Sequence, residues 1–178
     1  MTSNRWLEDP KAVAEVERLH AFIGEYVICF QWLEGKMDEM ILMSMGHENW
    51  TLTQSELAES TNHKKVCRLE TLVMERHGFR AIIADDWDEY FAAVIQELHT
   101  ERRRRNSLLH SQYLFDFLAI GHPVLKSDPK KQHGSPDRNQ DLSQDYCAQV
   151  LREIYELANR FGGVCMQLRM AFVGHQKS

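Results

Sequence analysis

Hydrophobic residues recur along most of this chain with the 3.6-residue period of an α-helix. The longest such pattern opens at Asp9-Pro10, where the aspartate can cap a helix and the proline suits its first position, and it continues to about Gly46. It carries two apolar stripes, which predicts burial on two sides. They are Val13, Val16, Ile23, Val27, Phe30, Met37 and Ile41, and Leu19, Phe22, Tyr26, Cys29, Leu33 and Met40. A helix of roughly 35 residues would be about 50 Å long, so the pattern favours an elongated bundle or packing against a second copy.

Three further helices are predicted, each opening at a capping box in which Glu or Gln follows Thr or Asp by three residues. The boxes are Thr53–Glu56, Asp86–Glu89 and Asp141–Gln144. The four helices together are expected over about 9–46, 54–77, 86–112 and 141–173. Within the last one, Gly162-Gly163 lowers helix propensity by roughly 1 kcal/mol per residue, which predicts a kink or a close helix crossing.

The helical period is interrupted over 113–140. An aromatic, partly alternating stretch begins at Tyr113 and is broken by Gly121-His122-Pro123, a pattern typical of a short hairpin-like arm. Residues 127–140 hold two prolines, a glycine and mostly polar side chains, which predicts a mobile loop. The expected fold is therefore all-α: a single domain over 1–178, built as an elongated four-helix up-down bundle with the arm and loop between helices 3 and 4.

Composition places the chain among soluble proteins. Its 178 residues are 43% hydrophobic and 26% charged with a net charge of -5, so any nucleic-acid contact must come from a local basic patch. The four cysteines form no CxxC pair and are read as reduced thiols. No apolar run approaches the roughly 18 residues of a membrane span, and no signal-peptide pattern opens the sequence, so we expect a cytoplasmic protein without membrane contact.

The third helix carries a run of four arginines, Arg102 to Arg105. The apolar ladder before it is Trp87, Phe91, Val94, Ile95 and Leu98. Seven residues beyond Leu98 this ladder reaches Arg105, and it resumes at Leu108 and Leu109, which predicts an arginine in a core-facing position. A buried guanidinium needs a partner, a watery cleft or a function, since burying it alone costs several kcal/mol.

A separate polar line lies beside this ladder. Arg102, Asn106 and His110 step by four residues and share one helix face. Arg105 lies about 140° from His110 around a regular helix, so short contacts between the two are excluded on one straight helix. Either the helix is distorted, or the same stretch of a second subunit completes the groove.

Other kinds of site find little support. A di-metal carboxylate centre needs Glu-x-x-His motifs on two helices, and the sequence has no such pair of motifs. His63 and Cys67 form an i,i+4 pair, but without a second pair at suitable spacing no zinc site is predicted. No phosphate-binding glycine loop and no nucleophile elbow occur. The prediction is therefore a protein without metal or cofactor.

The end of the third predicted helix reads Arg105-Asn106-Ser107-Leu108-Leu109-His110. It resembles the R-x4–6-H motif of HEPN domains, in which a polar residue often follows the arginine directly. The resemblance implies a homodimeric all-α domain whose two motifs face each other across a cleft. Many members are metal-independent ribonucleases, which implies RNA as substrate and a toxin or phage-defence role, with an antitoxin or regulatory protein as a further partner.

The resemblance assigns catalytic roles to Arg105, Asn106 and His110. The histidine would exchange protons with the 2′-hydroxyl or the leaving 5′-oxygen, the arginine would stabilise the phosphorane, and the asparagine would orient the phosphate or the 2′-hydroxyl. The products would be a 2′,3′-cyclic phosphate and a 5′-hydroxyl. In HEPN toxins paired with nucleotidyltransferase antitoxins the motif continues His-x-Tyr, whereas Tyr113 here lies one residue further on.

Three substrate-binding residues are predicted in addition. Arg102 is placed as an RNA-backbone contact on geometry alone, and Lys130 and Lys131 of the loop are placed as phosphate contacts. Plainer alternatives stay open. The arginine run can be a solvated helix face with a Glu101–Arg105 ion pair, the loop lysines can serve solubility alone, and the chain can be a non-catalytic HEPN-like module that binds RNA, a nucleotide or a protein.

Overall fold

The all-α class is confirmed in a computed structural model, which describes residues 8–75, 86–131 and 139–175. The helices are α1 Pro10–Met45, α2 Trp50–Glu59, α3 Asn62–Glu75, α4 Trp87–His110 and α5 Gln144–His175. In the described part of the chain, two short 3-10 helices lie between them, His47–Asn49 and Phe115–Ile120. None of the helices in the described part of the chain combines the length and the apolarity needed to span a lipid bilayer.

The first and the last helix each begin at a side-chain cap, but the last one begins later than predicted. Asp9 caps α1 as predicted, since its Oδ1 accepts the backbone N–H of Lys11 at 2.9 Å. The last helix does not open at Asp141, which instead ends a strand. Ser143 takes the capping position: its Oγ accepts the backbone N–H of Tyr146 at 3.3 Å. Ser143 lies directly before the helix, so its side chain can accept a backbone N–H of the first turn. Asp141 lies two residues earlier, in the strand, and does not take this role.

The helix predicted over 54–77 is two helices, α2 and α3. Ser60 has extended backbone angles, φ -82° and ψ 138°, so it ends α2, and Thr61 Oγ1 then accepts the backbone N–H of Lys64 at 3.4 Å. Thr53, expected to cap a helix start, is buried inside α2 instead. Short polar residues between the two halves compete with the helix by bonding their own backbone. The predicted stop at Gly78 lies outside the described residues.

The predicted arm forms a three-stranded antiparallel sheet. Its strands β1 Gln112–Leu114, β2 Leu125–Ser127 and β3 Asn139–Asp141 pair in the order β1-β2-β3. Lys126 at the centre of β2 pairs with Tyr113 on one side and with Gln140 on the other. Ser127, Asn139 and Gln140, predicted as loop, therefore belong to strands, because backbone pairing outweighs their polar composition. Residues 132–138 of that loop lie outside the described residues.

The chain divides into two compact units, each built from two chain segments. Unit 1 comprises Met1–Ile28 and Arg103–Ile154, and unit 2 comprises Cys29–Arg102 and Tyr155–Ser178. Fully buried side chains of unit 1 include Leu19, Tyr26, Leu108, Leu142 and Ile154. Those of unit 2 include Met37, Met40, Ile41, Leu69, Phe91, Ile95, Phe161 and Leu168.

The glycine pair of α5 lies in an unbroken helical stretch. Within unit 2, a methyl group added to Gly162 would lie 3.7 Å from Cη2 of Trp32 on α1, so the indole packs directly over this glycine. The kink or close helix crossing expected at this point stays a prediction. The glycine leaves room for a large aromatic side chain at a cost in helix propensity.

Candidate functional site

The buried face of α4 turns along the helix before it reaches the candidate motif. Leu98 is buried, but ten residues later the buried residue is Leu108, which lies about 80° further around the helix. Arg105 is consequently half-buried and not in the core, and Leu109 is 38% exposed. The predicted core position of Arg105 is therefore wrong. Glu101 is instead the charged residue of this helix that is buried, at 4% exposure.

Arg105 and Asn106 are in direct contact. Nη1 of the arginine donates a hydrogen bond to Oδ1 of the asparagine at 3.1 Å, and both side chains are half-buried. A guanidinium has five N–H donors in a fixed plane, so this bond orients the group and leaves its geometry suited to planar anions. The first two residues of the candidate motif thus form one preoriented pair.

His110 is the last residue of α4 and its side chain is exposed. The helix α4 is continuous from Trp87 to His110. His110 therefore lies about 140° from Arg105 around the helix axis, as in a regular helix. A break in the helix between the two residues is therefore excluded. Arg105 and His110 of a single chain project from different sides of α4.

A buried lysine reaches the motif from the sheet. Lys126 on β2 is 5% exposed, and its Nζ donates to Ser107 Oγ on α4 at 2.7 Å. Burial lowers the pKa of Lys126, the neighbouring Asp128 carboxylate raises it, and the charge of Lys131 lowers it further. In the sequence this lysine lies at the end of the predicted arm, directly before the predicted loop. Its position directly after the apolar pair Val124-Leu125 was the available signal, but only strand pairing turns it inward.

The arginine run separates into members with different surroundings. Arg104 forms an ion pair with Glu153 of α5, Nη2 to Oε2 at 2.5 Å, and hydrogen bonds from Gln149 and Arg104 lower the pKa of that carboxyl. Arg103 is exposed, as a solvated helix face requires. Arg102, in unit 2, is half-buried, and its Nε is buried with no hydrogen-bond partner among the described residues. The run is therefore not one uniform solvated face.

The two loop lysines predicted to contact phosphate are exposed. They follow Asp128 in a turn in which its Oδ1 accepts the backbone N–H of Lys130 at 3.0 Å and its carbonyl accepts that of Lys131 at 3.2 Å. Lys131 lies close enough to influence the pKa of Lys126. In unit 1, the turn that follows β2, the strand of Lys126, therefore carries two exposed cationic side chains.

Tyr113 is held by the backbone of the motif. Its hydroxyl donates a hydrogen bond to the carbonyl of Leu108 at 2.6 Å, and burial raises its pKa to about 12. A half-buried phenol that is already donating and resists ionisation is a weak nucleophile. This tyrosine therefore secures β1 to the end of α4 in a way that makes it a poor site of covalent modification.

Replacing Tyr113 by phenylalanine should alter the dependence of stability on pH. Because the folded pKa is about 12 and the unfolded pKa about 10, the folded state binds more protons between these values, and the free energy of unfolding falls as pH rises through this window. Urea unfolding at pH 9.5 and 11.5 measures the slope. We expect it to be shallower in Tyr113→Phe, and equal slopes in both proteins would contradict the assignment.

Comparison of the chain with protein-family models, with curated proteins and with solved structures finds no match.

Proposed function

We propose that this protein is a metal-independent endoribonuclease of the toxin or phage-defence type, acting in the cytoplasm as a homodimer. The observation that carries the proposal is the preoriented Arg105–Asn106 pair on the same helix end as an exposed histidine, His110. These are an anion-binding group, a polar orienting group and a proton carrier. Cleavage of RNA by attack of its own 2′-hydroxyl on the adjacent phosphorus requires these three functions and no redox step.

The reaction follows from the residue types. Neutral His110 removes the proton of a 2′-hydroxyl, whose oxygen attacks the adjacent phosphorus. The bond from phosphorus to the 5′-oxygen then breaks, and the leaving oxygen takes a proton from the same imidazole, which is now protonated. Arg105 stabilises the charge of the phosphorane, and Asn106 orients the phosphate. The products are a 2′,3′-cyclic phosphate and a 5′-hydroxyl.

The helical geometry of α4 supports a site built by two chains. An angle of about 140° separates Arg105 from His110 on a helix without a break, which favours a site in which the two residues come from different chains. In a two-fold symmetric dimer each chain offers the same stretch to the other, which creates two equivalent composite sites. Each would contain the arginine of one chain and the histidine of the other.

Local positive charge supports an RNA substrate although the whole chain carries -5. Lys126 brings a cationic group to Ser107 between the motif residues, and Lys130 and Lys131 extend exposed charge from the following turn. Phosphate backbones are attracted by such clusters independently of sequence. In this proposal Lys130, Lys131 and Arg102 contact the RNA backbone.

The test is cleavage of a mixed-sequence RNA by the purified chain with a chelator present, followed by analysis of the product ends. We expect 2′,3′-cyclic phosphate and 5′-hydroxyl termini, and a dimer by light scattering. Products with 5′-phosphates would exclude the mechanism. An inactive protein that nevertheless retains RNA would instead be a non-catalytic module that binds RNA, and a strict monomer would remove the composite site.

A further inference from the structure

Two helices of unit 2 bring together three side chains that are typical ligands of zinc. His63 and Cys67 lie one turn apart on α3, and His99 lies on α4. One nitrogen or sulfur atom from each side chain lies within 4.8 Å of those of the other two. The sequence argument against a zinc site depended on the lack of a second pair of ligands nearby in the chain, and it did not foresee a third ligand from another helix.

One donor–donor distance and the separation of the two rings are close to those at a tetrahedral ion, and the remaining donor atoms lie within 4.8 Å of one another. With zinc–nitrogen and zinc–sulfur distances of about 2.1 and 2.3 Å, a nitrogen and a sulfur ligand lie roughly 3.6 Å apart. Nδ1 of His63 lies 3.7 Å from Sγ of Cys67. The ring centroids of two imidazoles on one tetrahedral ion lie roughly 5.2 Å apart by the same geometry. Those of His63 and His99 are 5.4 Å apart, with a tilt of 56° between the rings.

The chemistry of the three side chains selects the kind of ion. Two imidazoles and a thiolate suit zinc, whereas calcium and magnesium prefer oxygen ligands. His63 is exposed and Cys67 and His99 are half-buried, so an ion can enter from solvent. A weak thiol–imidazole hydrogen bond accounts for the contact between His63 and Cys67, but it does not account for the convergence of His99 on the same point.

We propose that His63, Cys67 and His99 bind one zinc ion, with a water molecule in the fourth position, and that the ion links α3 to α4 within unit 2. Three protein ligands with one open position are a frequent arrangement for zinc. This site uses no residue of the ribonuclease proposal and stands or falls independently of it. It makes zinc a stabilising component of the fold without any part in RNA cleavage.

The test is titration of tag-free protein with Zn²⁺, and with Co²⁺ as a spectroscopic probe. We expect one Zn²⁺ per chain with a Kd in the micromolar range or tighter, and a thiolate-to-cobalt absorption band. His63→Ala, Cys67→Ser and His99→Ala should each weaken zinc binding at least tenfold, and Cys67→Ser should abolish the band. His20→Ala, an exposed histidine of α1, is the matched control and should bind as the wild type does.

Thermal unfolding gives a second readout. Zinc at about a hundredfold excess over Kd should raise Tm by roughly 5–10 °C in the wild type and leave Cys67→Ser unchanged. Since His63 is exposed, its variant decides the question even if His99→Ala does not fold. If about 100-micromolar zinc does not give one bound ion per chain, the affinity is only that of a weak surface site, and the proposal is overturned. Binding that any one of the three substitutions leaves intact would overturn the three-ligand assignment.

Discussion

His110→Ala is expected to lower the rate of RNA cleavage by about 10²- to 10⁴-fold, the usual contribution of a general acid or base. The imidazole is exposed at the end of α4, so its removal disturbs no packed core. Measurement of kcat on a defined RNA, with circular dichroism to verify folding, gives the effect. In a homodimer the substitution affects both equivalent sites alike, so the fold-change in kcat is that of a single site.

Arg105→Ala should act through a different step. Loss of one donor to the developing phosphorane costs about 10²- to 10³-fold, and Arg105→Lys should not restore the rate because a lysine lacks the planar, bidentate donors. Arg103→Ala is the matched control, since this exposed neighbour has the same charge in the same run. It should change kcat little. An equal loss in Arg103→Ala would reduce the motif to a general basic patch.

Mixing the two inactive variants tests whether the site is shared between chains. If Arg105 of one chain works with the histidine of the other, a dimer of one Arg105→Ala chain and one His110→Ala chain keeps one intact site of two. Random pairing should then restore roughly a quarter of wild-type activity. No recovery, with exchange of subunits verified, would place both residues in a site within one chain.

The largest expected effect on stability comes from Lys65 in unit 2. This lysine is 7% exposed, and its Nζ lies 2.9 Å from Oδ2 of Asp38 and 3.2 Å from Oε1 of Glu34. Burial by itself lowers the pKa of Lys65, but the hydrogen bond to Asp38 and the charges of both carboxylates raise it above its ordinary value. For the ammonium group the ion pairs outweigh burial, whereas burial raises the pKa of Asp38 although the lysine lowers it.

Lys65→Met should lower the free energy of unfolding by about 2–4 kcal/mol, because it leaves two neighbouring carboxylates without their cation. The range lies below that of a fully buried pair, since the side chains of Glu34 and Asp38 keep 27% and 30% exposure. Urea unfolding with a chelator present measures it, and the chelator separates this effect from metal binding at the adjacent His63 and Cys67.

Lys64→Met is the matched control for this substitution. Lys64 is the exposed neighbour on the same helix, so its replacement should change stability by less than about 0.5 kcal/mol. Neutralising the acids as well, with Glu34→Gln and Asp38→Asn, should recover most of the loss caused by Lys65→Met. A loss no larger than that of Lys64→Met would show that the cluster contributes nothing net.

The sequence by itself determined those parts of the fold that depend on neighbours within a few residues. The hydrophobic period predicted α1, α4 and α5, and the Asp9 cap was predicted from a single residue type. Such features are decided by backbone hydrogen bonds and contacts one turn apart. The sequence did not predict the break at Ser60, because a short polar stretch is compatible with a weak helix as well as with a turn.

Only the tertiary structure decided which side chains meet. The contact of Lys126 with Ser107 spans 19 residues and that of Arg104 with Glu153 spans 49, and the approach of His99 to His63 joins two helices. Periodicity along one helix also could not predict the turn of the buried face of α4, which left Arg105 half-buried. Which face is buried depends on the surfaces packed against it, and these come from distant parts of the chain.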